Sequence, residues 1–170
     1  MPARKLTSGR IGLKALAFAA LLASLAEPAL ALYPKKGDSA PHHGVRDARR
    51  KVIQGIDVSR WQGEIDWAKV KDAGTRFAFI KATEGGDHAD PNFRRYWYEA
   101  AQARIPRGAY HYFYFCRSGA QQAAWFIANV PRERGALPPV LDLEWTASKT
   151  CPHRPPSWEV LREAKIFKDI

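Results

Sequence analysis

Four times between positions 52 and 170, a short apolar run closes on polar or charged side chains and gives way to a stretch with helical periodicity. The apolar runs are residues 52–58, 77–82, 108–115 and 140–144, and the helical stretches are 67–73, 91–104, 120–130 and 157–168. A strand that returns through a helix lands parallel to its predecessor, so this alternation with short connections predicts an α/β fold built on parallel strands. In a parallel β/α barrel the working side chains gather at the C-terminal strand ends. The ends here carry Asp57 and Ser59, then Lys81 and Glu84, then Tyr110 and Tyr112, then Asp142 and Glu144. A core strand has no packing reason to end in charge in unit after unit, and the pattern points to a cleft along one rim.

The last of these ends carries the most chemistry. Residues 138–145 read Pro-Pro-Val-Leu-Asp-Leu-Glu-Trp. Side chains alternate faces along a strand, so Asp142 and Glu144 should point the same way with Cα atoms roughly 6.5–7 Å apart. Two carboxyl groups held together and partly buried repel, so one should keep its proton while the other stays ionised. That combination serves glycosidic bond cleavage, which needs a proton for the leaving oxygen and a negative charge beside the developing cation. A surface or helix-capping acid pair gives the same three-residue pattern, and the motif alone does not separate the two.

The N-terminus reads as an export signal. Residues 1–14 carry Arg4, Lys5, Arg10 and Lys14 without an acid, residues 15–26 are almost wholly apolar, and Ala29-Leu30-Ala31 offers small residues for cleavage after Ala31. The alternative is an uncleaved anchor, but the run is short for a span and Glu27-Pro28 interrupts it. Residues 32–51 form a polar, basic arm expected to be flexible, and residues 52–170 form one domain. The chain's net charge of +10 belongs mostly to the signal and the arm, because residues 52–170 hold 17 Lys/Arg against 14 Asp/Glu. A domain so near neutrality lacks the basic face that nucleic-acid binding requires. The expected location is outside the cytoplasm, periplasmic or extracellular, with no stable membrane insertion once the signal is removed.

The segments GIDVSRWQGEIDW (55–67), FAFIKATEGG (77–86), RGAYHYFYF (107–115), QQAAWFIANV (121–130) and LPPVLDLEW (137–145) together resemble the glycoside hydrolase family 25 lysozymes, the Chalaropsis-type muramidases. The resemblance implies the N-terminal half of a modified TIM-like (β/α) barrel and hydrolysis of the β-1,4 bond between N-acetylmuramic acid and N-acetylglucosamine in peptidoglycan. Carried over by position, Glu144 matches the general acid and Asp142 the neighbouring carboxylate that supports attack by the substrate's own 2-acetamido group. Asp57 matches the acid of the first strand. Lys81, Glu84 and Tyr110 fall where the family's sugar cleft is lined. Trp145 is a candidate for stacking on a sugar.

Each assignment has a plainer alternative. Lys81 and Glu84 suit a structural ion pair, and Trp61, Tyr110, Tyr112 and Trp145 suit core packing. No cofactor and no metal is expected, since the histidines show no ligand spacing beside the cysteines. Cys116 follows the third strand and Cys151 the fourth, so both should sit on one rim and, in an exported protein, form a disulfide. A barrel of this kind takes about 200 residues or more, so residues 52–170 are expected to be C-terminally incomplete, and a completed protein is expected to be a monomer. Two other readings stand beside a peptidoglycan hydrolase: an inactive cell-wall glycan-binding fragment, and a chitinase-like barrel, whose acid motif would be longer.

Overall fold

A computed structural model describes residues 50–170; the expected signal and all but the last two residues of the arm lie outside them. Eight of the ten elements are those the sequence predicts. They are β1 (Gln54–Val58), α1 (Trp67–Asp72), β2 (Thr75–Glu84), α2 (Phe93–Gln102), β4 (Arg107–Tyr112), α3 (Gly119–Asn129), β5 (Val140–Asp142) and α4 (Ser157–Asp169). Two more were not anticipated. A 3-10 turn, Arg60–Gln62, follows β1, and the two-residue strand β3 (His88–Ala89) folds back on β2. Gly85, at a φ of 55°, makes that reversal possible.

The sheet order is β1-β2-β4-β5, with every pair along that path parallel and β3 antiparallel on the end of β2. Alternation along the strands sorts the residues into two faces. Ala78, Ile80 and Ala82 of β2 are fully buried and pack with Phe93, Tyr96, Trp97 and Ala100 of α2 in the main core. Phe77, Phe79 and Lys81 take the other face. Glycines in the neighbouring strands make room for the two phenylalanines: a Cβ on Gly55 would lie 2.1 Å from Phe77, and one on Gly108 would lie 2.6 Å from Phe79.

A second cluster, Phe113, Phe115, Cys151 and Val160, forms beyond the ends of β4 and β5, with Leu141, Trp145 and Phe167 packed against it. Between the two clusters lies a buried polar chain. Thr83, His111 and Gln122 are all fully buried, with Thr83 Oγ1 2.7 Å from His111 Nδ1 and His111 Nε2 3.1 Å from Gln122 Oε1. Phe167 of α4 stacks on the imidazole at 4.9 Å between ring centres. The chain thus joins the end of β2 to β4 and α3 with each of its three buried side chains hydrogen-bonded.

β5 differs from expectation in length. The strand ends at Asp142 rather than 144, and Val140 is 37% exposed. Register explains the early end. Tyr112, the last residue of β4, pairs with Asp142, after which Phe113 donates to the Asp142 carbonyl and the chain turns from Tyr114 to Arg117. Leu143 and Glu144 therefore have no β4 ladder to extend. The exposure follows from position, since among the described residues β5 is paired only with β4.

Candidate active site

The inner face of the sheet gathers the polar side chains at the C-terminal strand ends. Asp57, Phe79, Tyr110 and the run from Val140 to Glu144 line a cleft of about 330 Å³. Asp57 and Glu144 are exposed, whereas Asp142 is half-buried between them. The carboxyl of Asp142 is pushed up to about 6, first by burial, then by the nearby charges of Glu144 and Asp57, with Lys81 pulling weakly the other way. Asp142 therefore holds its proton more tightly than an ordinary carboxyl group does, yet it is mostly ionised at pH 7. Glu144 lies past the strand in solvent, while Asp142 sits on the ladder against Tyr112.

Tyr110 stands among these acids. Burial raises its phenol well above the ordinary value, and the charges of Asp57, Asp142 and Asp90 add to the effect, while a hydrogen bond with the Ser59 hydroxyl opposes it. The phenol stays neutral at any physiological pH and remains able to donate a hydrogen bond into the cleft. Tyr112, on the same face, is also raised by burial, and its hydroxyl lies 2.7 Å from Thr146 Oγ1.

Lys81 and Glu84 form an ion pair at 2.8 Å, and the Lys81 side chain is only 12% exposed. The same ammonium lies 4.6 Å from the centre of the Tyr112 ring. The ion-pair alternative is therefore present in the structure; neither residue is among those lining the cleft, though the Lys81 charge reaches Asp142. Trp145 is half-buried, packs against Phe115 at 5.7 Å and lies outside the set of residues lining the cleft.

Sequence reasoning passed over Asp90. It is 5% exposed, its Oδ2 accepts from the backbone N–H of Arg60 at 2.9 Å, and its Oδ1 accepts from Asn92 N–H at 2.9 Å. Asp90 thereby ties the turn after β1, which carries Ser59, to the start of α2. The run Asp90-Pro91-Asn92 signals a helix start, but nothing local shows that the carboxylate also reaches a backbone thirty residues earlier.

Cys116 and Cys151 are joined by a disulfide with Cα atoms 5.5 Å apart. It links the loop after β4 to the loop after β5. Ser148 and Cys151 exchange backbone hydrogen bonds of 3.1 and 3.2 Å, and the Tyr114 hydroxyl lies 2.7 Å from Thr150 Oγ1. The segment directly following Glu144 is thus held to the β4 rim by covalent and polar ties together.

Residues 56–169 match the family model described as glycosyl hydrolases family 25. Lysozyme M1 of Streptomyces globisporus is 48% identical over 103 residues, which is 56% of this chain and 34% of the relative. The N,O-diacetylmuramidase of a Chalaropsis species is 38% identical over 100 residues, 55% of this chain and 47% of the relative. Among solved structures, a family 25 glycosyl hydrolase from Bacillus anthracis superposes with a TM-score of 0.65 at 41% identity, covering 69% of this chain and 54% of that one. That likeness makes the four parallel strands and their helices the first half of a modified β/α barrel. The chain spans between about a third and a half of the length of these relatives.

Proposed function

This chain belongs to family 25 of the glycosyl hydrolases, and we propose that its cleft contributes to cleavage of the β-1,4 bond between N-acetylmuramic acid and N-acetylglucosamine in peptidoglycan. The observation that carries the proposal is the grouping of Asp57, Asp142 and Glu144 in one cleft, with the carboxyl of Asp142 pushed up to about 6. The family match over residues 56–169 includes all three.

In this reading Glu144, exposed to an incoming glycan, donates the proton that the departing 4-oxygen needs. Asp142 holds the substrate's 2-acetamido group by its N–H, so that the amide oxygen closes on the anomeric carbon as the bond to the leaving sugar lengthens. Positive charge then develops on the ring and the acetamido group, and the carboxyl of Asp142 moderates it at close range in a partly dry site. At neutral pH the Asp142 carboxyl, pushed up to about 6, is mostly ionised and can accept the acetamido N–H. Tyr110 supplies a neutral donor to a sugar oxygen, Asp57 lies on the opposite side of the cleft, and the Lys81–Glu84 pair and Tyr112 border the same rim. Peptidoglycan glycan strands are the partner, and an exported location accords with the basic-apolar N-terminus and with a disulfide that needs an oxidising compartment.

The test is release of reducing ends from purified peptidoglycan by the 170-residue protein, with mass spectrometry to show muramic acid at the new ends. Products ending in N-acetylglucosamine would overturn the bond assignment. A second reading, glycan binding without turnover, is favoured by the exposure of Asp57 and Glu144. Saturable binding of soluble glycan strands with no new reducing ends would select it.

A further inference from the structure

Trp61 is 75% exposed. An indole that burial would stabilise is instead offered to solvent on the rim that carries the acids, four residues after Asp57, and the turn that bears it is tied down on several sides. The turn Arg60–Gln62 is closed by Gln62 N–H to the Ser59 carbonyl at 3.1 Å and Gly63 N–H to the Arg60 carbonyl at 3.2 Å. The Ser59 N–H donates to Gln62 Oε1 at 2.7 Å. From outside the turn, Asp90 accepts from Arg60 N–H at 2.9 Å, and Arg95 Nη2 donates to the Gly63 carbonyl at 3.0 Å. The Arg60 guanidinium lies 4.6 Å from the centre of the indole, while its Nη1 contacts His88 Nε2 at 2.6 Å. One face of Trp61 is thus backed by an anchored cation, and the opposite face is open.

We propose that the open face of Trp61 is a stacking platform for an N-acetylhexosamine ring of the glycan strand, adjoining the cleft at the β1 side. This rests on the peptidoglycan reading above and adds a subsite to it. A β-1,4-linked aminosugar in the chair form carries its large substituents equatorially, so each face presents axial C–H bonds with a slight positive charge. Those match the negative face of an indole. The strand-end cleft holds the sugars on either side of the scissile bond, and an extended glycan must cross the rim to reach it. A platform already fixed in position takes up a sugar without ordering cost on the protein side, which is what a docking site for one ring of a long chain requires.

The experiment is a titration of the full 170-residue protein, carrying Glu144→Gln to prevent turnover, with two probes: tetra-N-acetylchitotetraose, and peptide-free glycan strands from amidase-treated peptidoglycan. The tryptophan indole N–H signals are followed by nuclear magnetic resonance, with Trp61 assigned from Trp61→Phe, and the ring of Tyr110 is followed by selective labelling. Saturable shifts at Trp61 are expected, with affinity roughly three- to tenfold weaker in Trp61→Ala and largely kept in Trp61→Phe. Since Trp61 is exposed, neither variant should disturb the fold. Shifts at Tyr110 with Trp61 silent and affinity unchanged in Trp61→Ala would overturn the platform and leave the cleft reading standing. Shifts at Trp61 with Tyr110 silent would keep the platform and overturn the cleft reading. No binding of either probe would overturn both.

Discussion

His111 Nε2 lies 3.1 Å from Gln122 Oε1, and the Gln122 amide nitrogen is spent on the carbonyls of Tyr114 and Arg117, each at 3.1 Å. Gln122 Oε1 is therefore the acceptor, also taking the Tyr114 N–H at 2.7 Å, and the imidazole must carry its proton on Nε2. Its Nδ1 is left to accept from Thr83. A second ring proton would require the Thr83 hydroxyl to turn and accept, and burial pushes His111 down to about 4.

The consequence is a stability that falls in acid. The unfolded chain protonates this histidine near its ordinary value of about 6.5 while the fold resists until about 4, so stability is lost as pH drops from about 6.5 to 4. The ceiling is roughly 3 kcal/mol from this group. Denaturant midpoints at pH 7 and pH 4.5 check it. His111→Leu should flatten the difference while lowering stability at both pH values, because Thr83 and Gln122 then lose their partner at about 1–3 kcal/mol for each buried group left unpaired.

Asp142 works in the opposite sense. Its folded value of about 6 lies above the ordinary carboxylate value of 3.8, so the fold holds a proton that the unfolded chain has released. Stability from this group is present below pH 3.8 and is lost as pH rises through about 6. At pH 7 the ionised carboxylate strains the fold, and Asp142→Asn should relieve it. Half-exposure screens the effect, so a gain on the order of 1 kcal/mol is expected at pH 7 and none at pH 3. Turnover of peptidoglycan should fall by ~10²-fold or more in the same variant if Asp142 moderates developing positive charge. A variant at once more stable and less active would separate a working acid from a structural one. Measuring the His111 window in this background removes the opposing slope.

Glu144→Gln is expected to leave stability within about 0.5 kcal/mol, because the side chain is exposed. Reducing-end release should drop by ~10²–10⁴-fold, the range for loss of a general acid. Near-normal release with an intact near-ultraviolet circular dichroism spectrum would remove Glu144 from the role assigned to it.

The strand ends were legible because their polar residues interrupt apolar runs, and period-two alternation then places Asp57, Lys81, Tyr110 and Asp142 along one face. Legibility stopped where a property depends on partners distant in sequence. The alternation Asp142-Leu143-Glu144 reads as continuous strand, yet β4 turns away after Tyr112 and ends the ladder at Asp142. The same turn leaves Glu144 in solvent and Asp142 half-buried, so a local pattern announced the acid pair without showing which member burial would reach. Asp90 was invisible for a related reason: its acceptors serve backbone N–H groups of Arg60 and Asn92, and backbone donors carry no sequence signature.

The Cys116–Cys151 bridge closes a loop of sequence separation 35. In the chain-entropy account such a crosslink removes about 4 kcal/mol of freedom from the unfolded state, a large share of a small domain's stability. It also spans the one segment, residues 146–151, that follows Glu144 and carries Thr146 to the Tyr112 hydroxyl. Alkylation of exported protein without reduction should therefore modify neither cysteine, and both after reduction, as read by mass spectrometry. Paired replacement by serine should lower the denaturant midpoint and also weaken glycan binding, because the loop next to Glu144 loses its tether to the β4 rim. Loss of stability with binding unchanged would make the bridge a staple of the fold alone, and two alkylated cysteines in unreduced exported protein would mean that it does not form.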